Sequence, residues 1–155
     1  MGFEQLSNKA LAINMDLQRV YGKLKPLNDG RGVAFFKGAD AFVECDGLFV
    51  SGEALVLNEA KAHFHEADVT KLLNVTAVRL REILAEPAKF TSNSAGIMLQ
   101  FAGLKLDGLV ASSDNFSAGA ERDCAKAGIH LLRRDGSGFI CTLSEHALKP
   151  VGEEQ

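Results

Sequence analysis

Asp46, Glu59 and Lys61 are the residues of this chain whose types and spacing suggest chemistry. Glu59 and Lys61 stand one residue apart, and side chains on a β-strand alternate faces, so both project from one side of a strand. Leu55 and Leu57 precede them on that side, an apolar run that turns polar at its last two positions. Buried without partners, such charges cost several kcal/mol each. A divalent cation would offset that cost. Carboxylate oxygens suit Mg²⁺ or Mn²⁺, and such an ion lowers the pKa of a bound water far enough for attack on a phosphodiester. The ordinary alternatives are a turn at Asp46 and an exposed Glu59–Lys61 ion pair worth at most about 1 kcal/mol. His63 and His65 follow at a spacing that transition metals accept. Zn²⁺ would need further ligands, with Asp46, Glu59 or His130 as candidates, and Mg²⁺ is the better match.

An Asp on one strand followed by Glu59-Ala60-Lys61 on the next resembles the PD-(D/E)XK nuclease superfamily. The run Glu44-Cys45-Asp46-Gly47 before an apolar strand ending in Glu-Ala-Lys is similar to that family as well. No Pro precedes Asp46, a departure from the name-giving motif that many members share. The resemblance implies Asp46 as central metal ligand, Glu59 as the second and the Ala60 carbonyl as a third. Lys61 would orient the attacking water or stabilise charge in the transition state. Glu44 shares a face with Asp46 and would be either an additional acid of the site or an exposed strand residue. Glu4 would match the acid that many members carry on the first helix, against the ordinary reading of a surface glutamate. The implied activity is Mg²⁺- or Mn²⁺-dependent hydrolysis of phosphodiester bonds, with DNA the favoured substrate. His63, His65, Lys71 and Ser113 would be nucleic-acid contacts, each set against a solvated or helix-capping role.

The elements that must position these residues are legible as periodicities. Phe3, Leu6, Ala10, Ile13, Leu17, Val20 and Leu24 recur at helical spacing, and Pro26 to Gly30 end that helix. Strands are expected over 33–37, 41–50 and 54–61, a meander with turns at 38–40 and 51–53. A helix spans 66–86, and Pro87 stops it. Residues 97–101 read as strand or short helix, and 104–111 contain the next strand. Ser112 to Asn115 read as caps for a helix over 116–127 with Gly128 as its C-terminal cap. Strands at 129–133 and 138–143 follow, and the polar tail 145–155 is expected to fray. The order is helix, meander, helix, strand, helix, strand. It implies an α/β, restriction-endonuclease-like fold: a central mixed β-sheet with an αβββαβ core and flanking helices in one domain, 1–155. Across roughly 3–143 it resembles the Mrr-like and Holliday-junction-resolvase-like branches.

Composition narrows the classes. The 155 residues, 46% hydrophobic and 24% charged, are ordinary for a globular domain, and no apolar run is long enough to span a membrane. The three cysteines show no metal-like spacing and fit a reduced, intracellular setting, cytoplasmic or nuclear. A net charge of −3 argues against a dedicated DNA binder, because only local basic clusters occur: Arg19, Lys23 and Lys25; Arg79 and Arg81; Arg133 and Arg134. No phosphate-cradling glycine motif or nucleophile elbow is present. Cleaving two strands needs two sites, so a homodimer is expected, through the first helix or the Phe-rich strand 33–37. Two other classes stand beside the nuclease: a non-catalytic binding or assembly module of the same fold, and an unrelated α+β interaction domain.

Overall fold

The computed structural model describes residues 2–146. The N-terminal apolar period forms helix, but in two pieces. Helix α1 (Phe3–Ile13) ends at Asn14, whose backbone is extended and whose side chain accepts from Leu17 N at 3.0 Å to start α2 (Met15–Tyr21). An Asn that offers the backbone this alternative partner interrupts a helix, so the single long helix expected is corrected to two.

The strands are β1 (Lys25–Pro26), β2 (Val33–Lys37), β3 (Asp40–Cys45), β4 (Gly47–Ser51) and β5 (Ala54–Phe64). Helix α3 (Glu66–Lys71) runs through a π-helical segment, Leu72–Thr76, into α4 (Ala77–Ala85). Then come β6 (Thr91–Ser92), the short α5 (Ile97–Gln100), β7 (Lys105–Phe116), α6 (Ala118–Ala127), β8 (Ile129–Asp135) and β9 (Gly138–Thr142). They make an α/β architecture. One six-stranded sheet has the order β1-β4-β5-β7-β8-β9, and a three-stranded sheet has the order β3-β2-β6. In the larger sheet β5, β7 and β8 are parallel and the other pairings antiparallel, so it is mixed.

The strand expected over 41–50 is in fact two. The chain leaves the small sheet at Cys45 and enters the large one at Gly47, so Asp46 is the corner between them. Helix α1 enforces that corner. Asn8 Nδ2 donates to Asp46 O at 2.9 Å, and a Cβ on Gly47 would lie 2.0 Å from Asn8 Oδ1. Only glycine permits so close an approach.

Alternation along β5 sorts its side chains between two cores. Leu55 and Leu57 join the larger, with Val69, Leu72, Leu80 and Ile83 of the helical side, and Val56 joins the smaller, with Leu11 and Leu17. Strand β7 continues through Ser112 to Asn115, which were expected as helix caps. Ser112 and Ser113 are buried, and Ser117 caps α6 by accepting from Ala120 N at 3.1 Å. Gly128 closes α6 in the left-handed conformation (φ 82°), as expected. Residues 97–100 are helical. The tail from residue 147 onward lies outside the described residues. Among the described residues no helix is long and apolar enough to cross a membrane.

Candidate active site

Three carboxyls meet where the two sheets divide. Asp46 stands at the corner, Glu59 on β5 and Glu4 in the first turn of α1, and the carboxyls of Glu4 and Glu59 both come within hydrogen-bonding reach of Asp46. Two carboxyls share a hydrogen bond only if one holds a proton. Partial burial, reinforced by the Asp46 charge and hydrogen bond, raises Glu4 to about 7. The same causes raise Glu59 to about 9, against the opposing pull of Lys61 and Lys71. Asp46 is oriented by Ala60, whose backbone N–H donates to Asp46 Oδ2 at 2.8 Å. Glu44 is exposed on β3, and its charge adds to the rise at Glu4.

The arrangement is a chain of acids through Asp46. Among the described residues, no group of three or more His, Cys, Asp or Glu side chains is set around a common centre that would hold an ion. The donor chemistry nevertheless fits a hard divalent cation. All three groups offer oxygen, and a cation supplies the positive charge that shared protons otherwise provide. Asp46 and Glu59 would hold it, with the Ala60 carbonyl and Glu4 as further oxygen donors.

A polar network under the site fixes these positions. Asn58, beside Glu59 on the opposite face of β5, is fully buried. Its Nδ2 donates to Asn8 Oδ1 at 2.8 Å and to Ser7 Oγ at 3.2 Å, and its Oδ1 accepts from Ser112 Oγ at 2.6 Å. Ser7 Oγ donates in turn to Glu4 O at 2.9 Å. Helix α1, the Asp46 corner and strands β5 and β7 are thus pinned together directly behind the carboxyls. Hydrophobic periodicity does not announce this network. Its one visible trace is Asn58, a polar residue at an inward position of an apolar strand.

The other candidates separate. Lys61 Nζ lies 3.9 Å from Asp68 Oδ1 while still acting on Glu59. Lys71 lines the cleft in front of the carboxyls. His63 is exposed four residues beyond Glu59, about 13 Å along the strand and out of reach of an ion held at Asp46. His65 stacks on His63 at 6.4 Å between centroids, and its backbone N–H is accepted by Asp68 Oδ2 at the start of α3. His130 is on the far side, 2.8 Å from Tyr21 Oη, with its Nδ1 accepting from Ser144 N. The zinc set considered from sequence therefore does not assemble. Ser113 does not face solvent: its hydroxyl is committed to Ala62 O at 3.0 Å and Asn115 O at 2.9 Å, which removes it as a phosphate contact.

A cleft of about 480 Å³ opens from the acids. Phe36 and Phe42 wall it on the small sheet, and Val75, Thr76 and Arg79 on the helical side. Arg79, of the basic cluster at 79–81, is exposed; its Nη1 donates to Phe42 O at 2.8 Å, and its guanidinium lies 5.5 Å over the Phe42 ring. The π-helical segment brings Val75 and Thr76 to this wall, and such segments recur at functional sites. No periodicity announces one.

Compared with known proteins, the chain matches no family model, no curated protein and no solved structure.

Proposed function

We propose that this chain is a metal-dependent nuclease of the PD-(D/E)XK type, with a restriction-endonuclease-like core, hydrolysing phosphodiester bonds in DNA. The observation that carries the reading is the convergence of Asp46, at the corner between β3 and β4, and Glu59, on β5, at one cleft, with Glu4 joining them from α1. An isolated Asp and a Glu-X-Lys triplet arise often by chance. Their meeting at a sheet corner, braced by a buried network, is what supports function over coincidence.

In this reading Asp46 and Glu59 would hold Mg²⁺ or Mn²⁺, which would supply Lewis acidity at the phosphate. Ala60 N–H keeps the Asp46 carboxylate aimed. Lys61 contributes positive charge beside Glu59, where negative charge develops on the phosphate oxygens. Lys71, at the cleft mouth, steers the substrate backbone. Glu44 limits how much negative charge the cleft accepts.

A homodimer would supply the second site for cutting both strands. Of the two surfaces considered for it, β2 is already paired on both sides by β3 and β6. What remains is the exposed Ile13 and Met15 between α1 and α2. One observation favours the same fold as a non-catalytic module: the pairing of Lys61 with Asp68 draws its ammonium toward α3.

The test is cleavage of supercoiled, linear, single-stranded and four-way-junction DNA with Mg²⁺ or Mn²⁺, for wild type, Lys61→Ala and Asp46→Asn. Metal-dependent cutting lost in both variants is the expected result. No cutting of any substrate, together with no Mn²⁺ binding by calorimetry, would overturn the reading in favour of the non-catalytic module.

A further inference from the structure

Resting on that reading, we infer that the cleft beside the carboxyls receives one unpaired nucleobase, which makes single-stranded DNA the substrate and excludes duplex. The cleft's size is the first argument. At about 480 Å³ it is in the range of small-ligand sites, with room for a single base drawn out of a stack.

Its walls are the second argument. A duplex presents phosphates, and a duplex-binding surface answers with many cations. This cleft is lined by the aromatic rings of Phe36 and Phe42 and by Val75, with Lys71 and Arg79 as its cations and Glu44, Asp46 and Glu59 as its acids. Aromatic and guanidinium planes are what unpaired bases stack on. The Arg79 guanidinium is already held over the Phe42 ring and tied to the Phe42 carbonyl, so its plane needs no further ordering. Phe42 is itself backed by Phe90 at 4.8 Å between centroids. A base seated on this platform places its own phosphate toward the carboxyl corner, the one part of the cleft with hydrolytic chemistry.

Charge is the third argument. With Arg79 taken up under the base, Lys71 is the cation left to face phosphate, which predicts a single-strand salt dependence of about −0.7 in log K against log salt, far shallower than that of a duplex binder making many contacts.

The experiment is fluorescence anisotropy of the full chain carrying Lys61→Ala, in Mn²⁺, against a labelled single-stranded 12-mer, the same sequence as duplex, and a 12-mer of abasic sites. Binding to the single strand should exceed the other two by about tenfold or more, the weight of one stacked base. Val75→Trp, which fills the cleft from an exposed helical position, should remove that preference. Equal or tighter binding of duplex or abasic strand, or an unchanged preference in Val75→Trp, overturns the inference. Hydrolysis of methyl p-nitrophenyl phosphate, a diester with no base, separates the two claims. Wild type should cleave it and Asp46→Asn should not. If neither cleaves it while the base preference holds, the base pocket stands and the hydrolytic reading falls.

Discussion

Replacing Asn58 by Leu should destabilise the protein by about 2–4 kcal/mol, although no residue of the proposed chemistry is touched. Asn58 is fully buried, and Leu has a similar volume, so the change is one of polarity more than of packing. Removing the amide takes the donor from Asn8 Oδ1 and the acceptor from Ser112 Oγ, both in residues buried to within 1%. Ser7 Oγ keeps its bond to Glu4 O. Each orphaned buried group costs about 1–3 kcal/mol, and the added apolar surface of Leu returns about 1 kcal/mol. With a urea m-value of about 2 kcal/mol/M, the unfolding midpoint should fall by about 1–2 M. The decisive assay is a double-mutant cycle by urea denaturation. Ser112→Ala alone leaves Asn58 Oδ1 without its donor and should cost about 1–2 kcal/mol. In the double variant Ser112 no longer has a hydroxyl to orphan, so the pair should be no less stable than Asn58→Leu alone. Simple additivity, or a loss below about 1 kcal/mol in Asn58→Leu, would refute the claim that this network braces the site.

Other outcomes follow from the same geometry. Glu59 is raised to about 9 in the fold, so it favours the folded state fully below its ordinary value near 4.5, and that contribution is lost as pH rises through 9. Thermal melts in chelator should therefore fall more steeply from pH 6 to 9 in wild type than in Glu59→Gln, and parallel slopes would refute this. At pH 8, Mn²⁺ at a hundredfold excess over its dissociation constant should add about 2.7 kcal/mol, or about 5–10 °C in melting temperature. Asp46→Asn should abolish that gain, and the same shift in both proteins would place the ion elsewhere. Gly47→Ala forces a Cβ to 2.0 Å from Asn8 Oδ1 and should cost about 2 kcal/mol or more by denaturant titration. A neutral result would show that α1 can retreat from the corner.

Much of the framework was readable in advance because it rests on local periodicity. Strand 33–37 and the cap at Gly128 lie where spacing and backbone preference put them. The failures came where a tertiary partner overrode the local signal. Asn14 interrupts the first helix through one side-chain hydrogen bond, and nothing in the apolar period announces it. The bend at Asp46 exists because Asn8, thirty-eight residues away, presses on Gly47 and holds the Asp46 carbonyl. Ser112 and Ser113 have the composition of caps but are drawn into β7 by parallel pairing with β5. In the candidate site, the shared face of Glu59 and Lys61 was legible because alternation along a strand encodes it. Arg79 and Phe42 were not, because their meeting depends on how a helix and a second sheet close on each other.

The π-helical segment makes the cleft depend on counting as well as on chemistry. Each residue of an ordinary helix advances the next by about 100°. A wide turn takes in one residue more than a regular one, so the stretch absorbs that residue without turning α4 relative to α3. Arg79 thereby keeps its place over the Phe42 ring, and Leu80 and Ile83 stay buried. Deleting one residue within 72–76 would restore regular winding with that phase kept, and would draw Val75 and Thr76 back from the cleft wall. Exposed positions such as Asn74 can change identity freely, while the number of residues in the stretch shapes the wall.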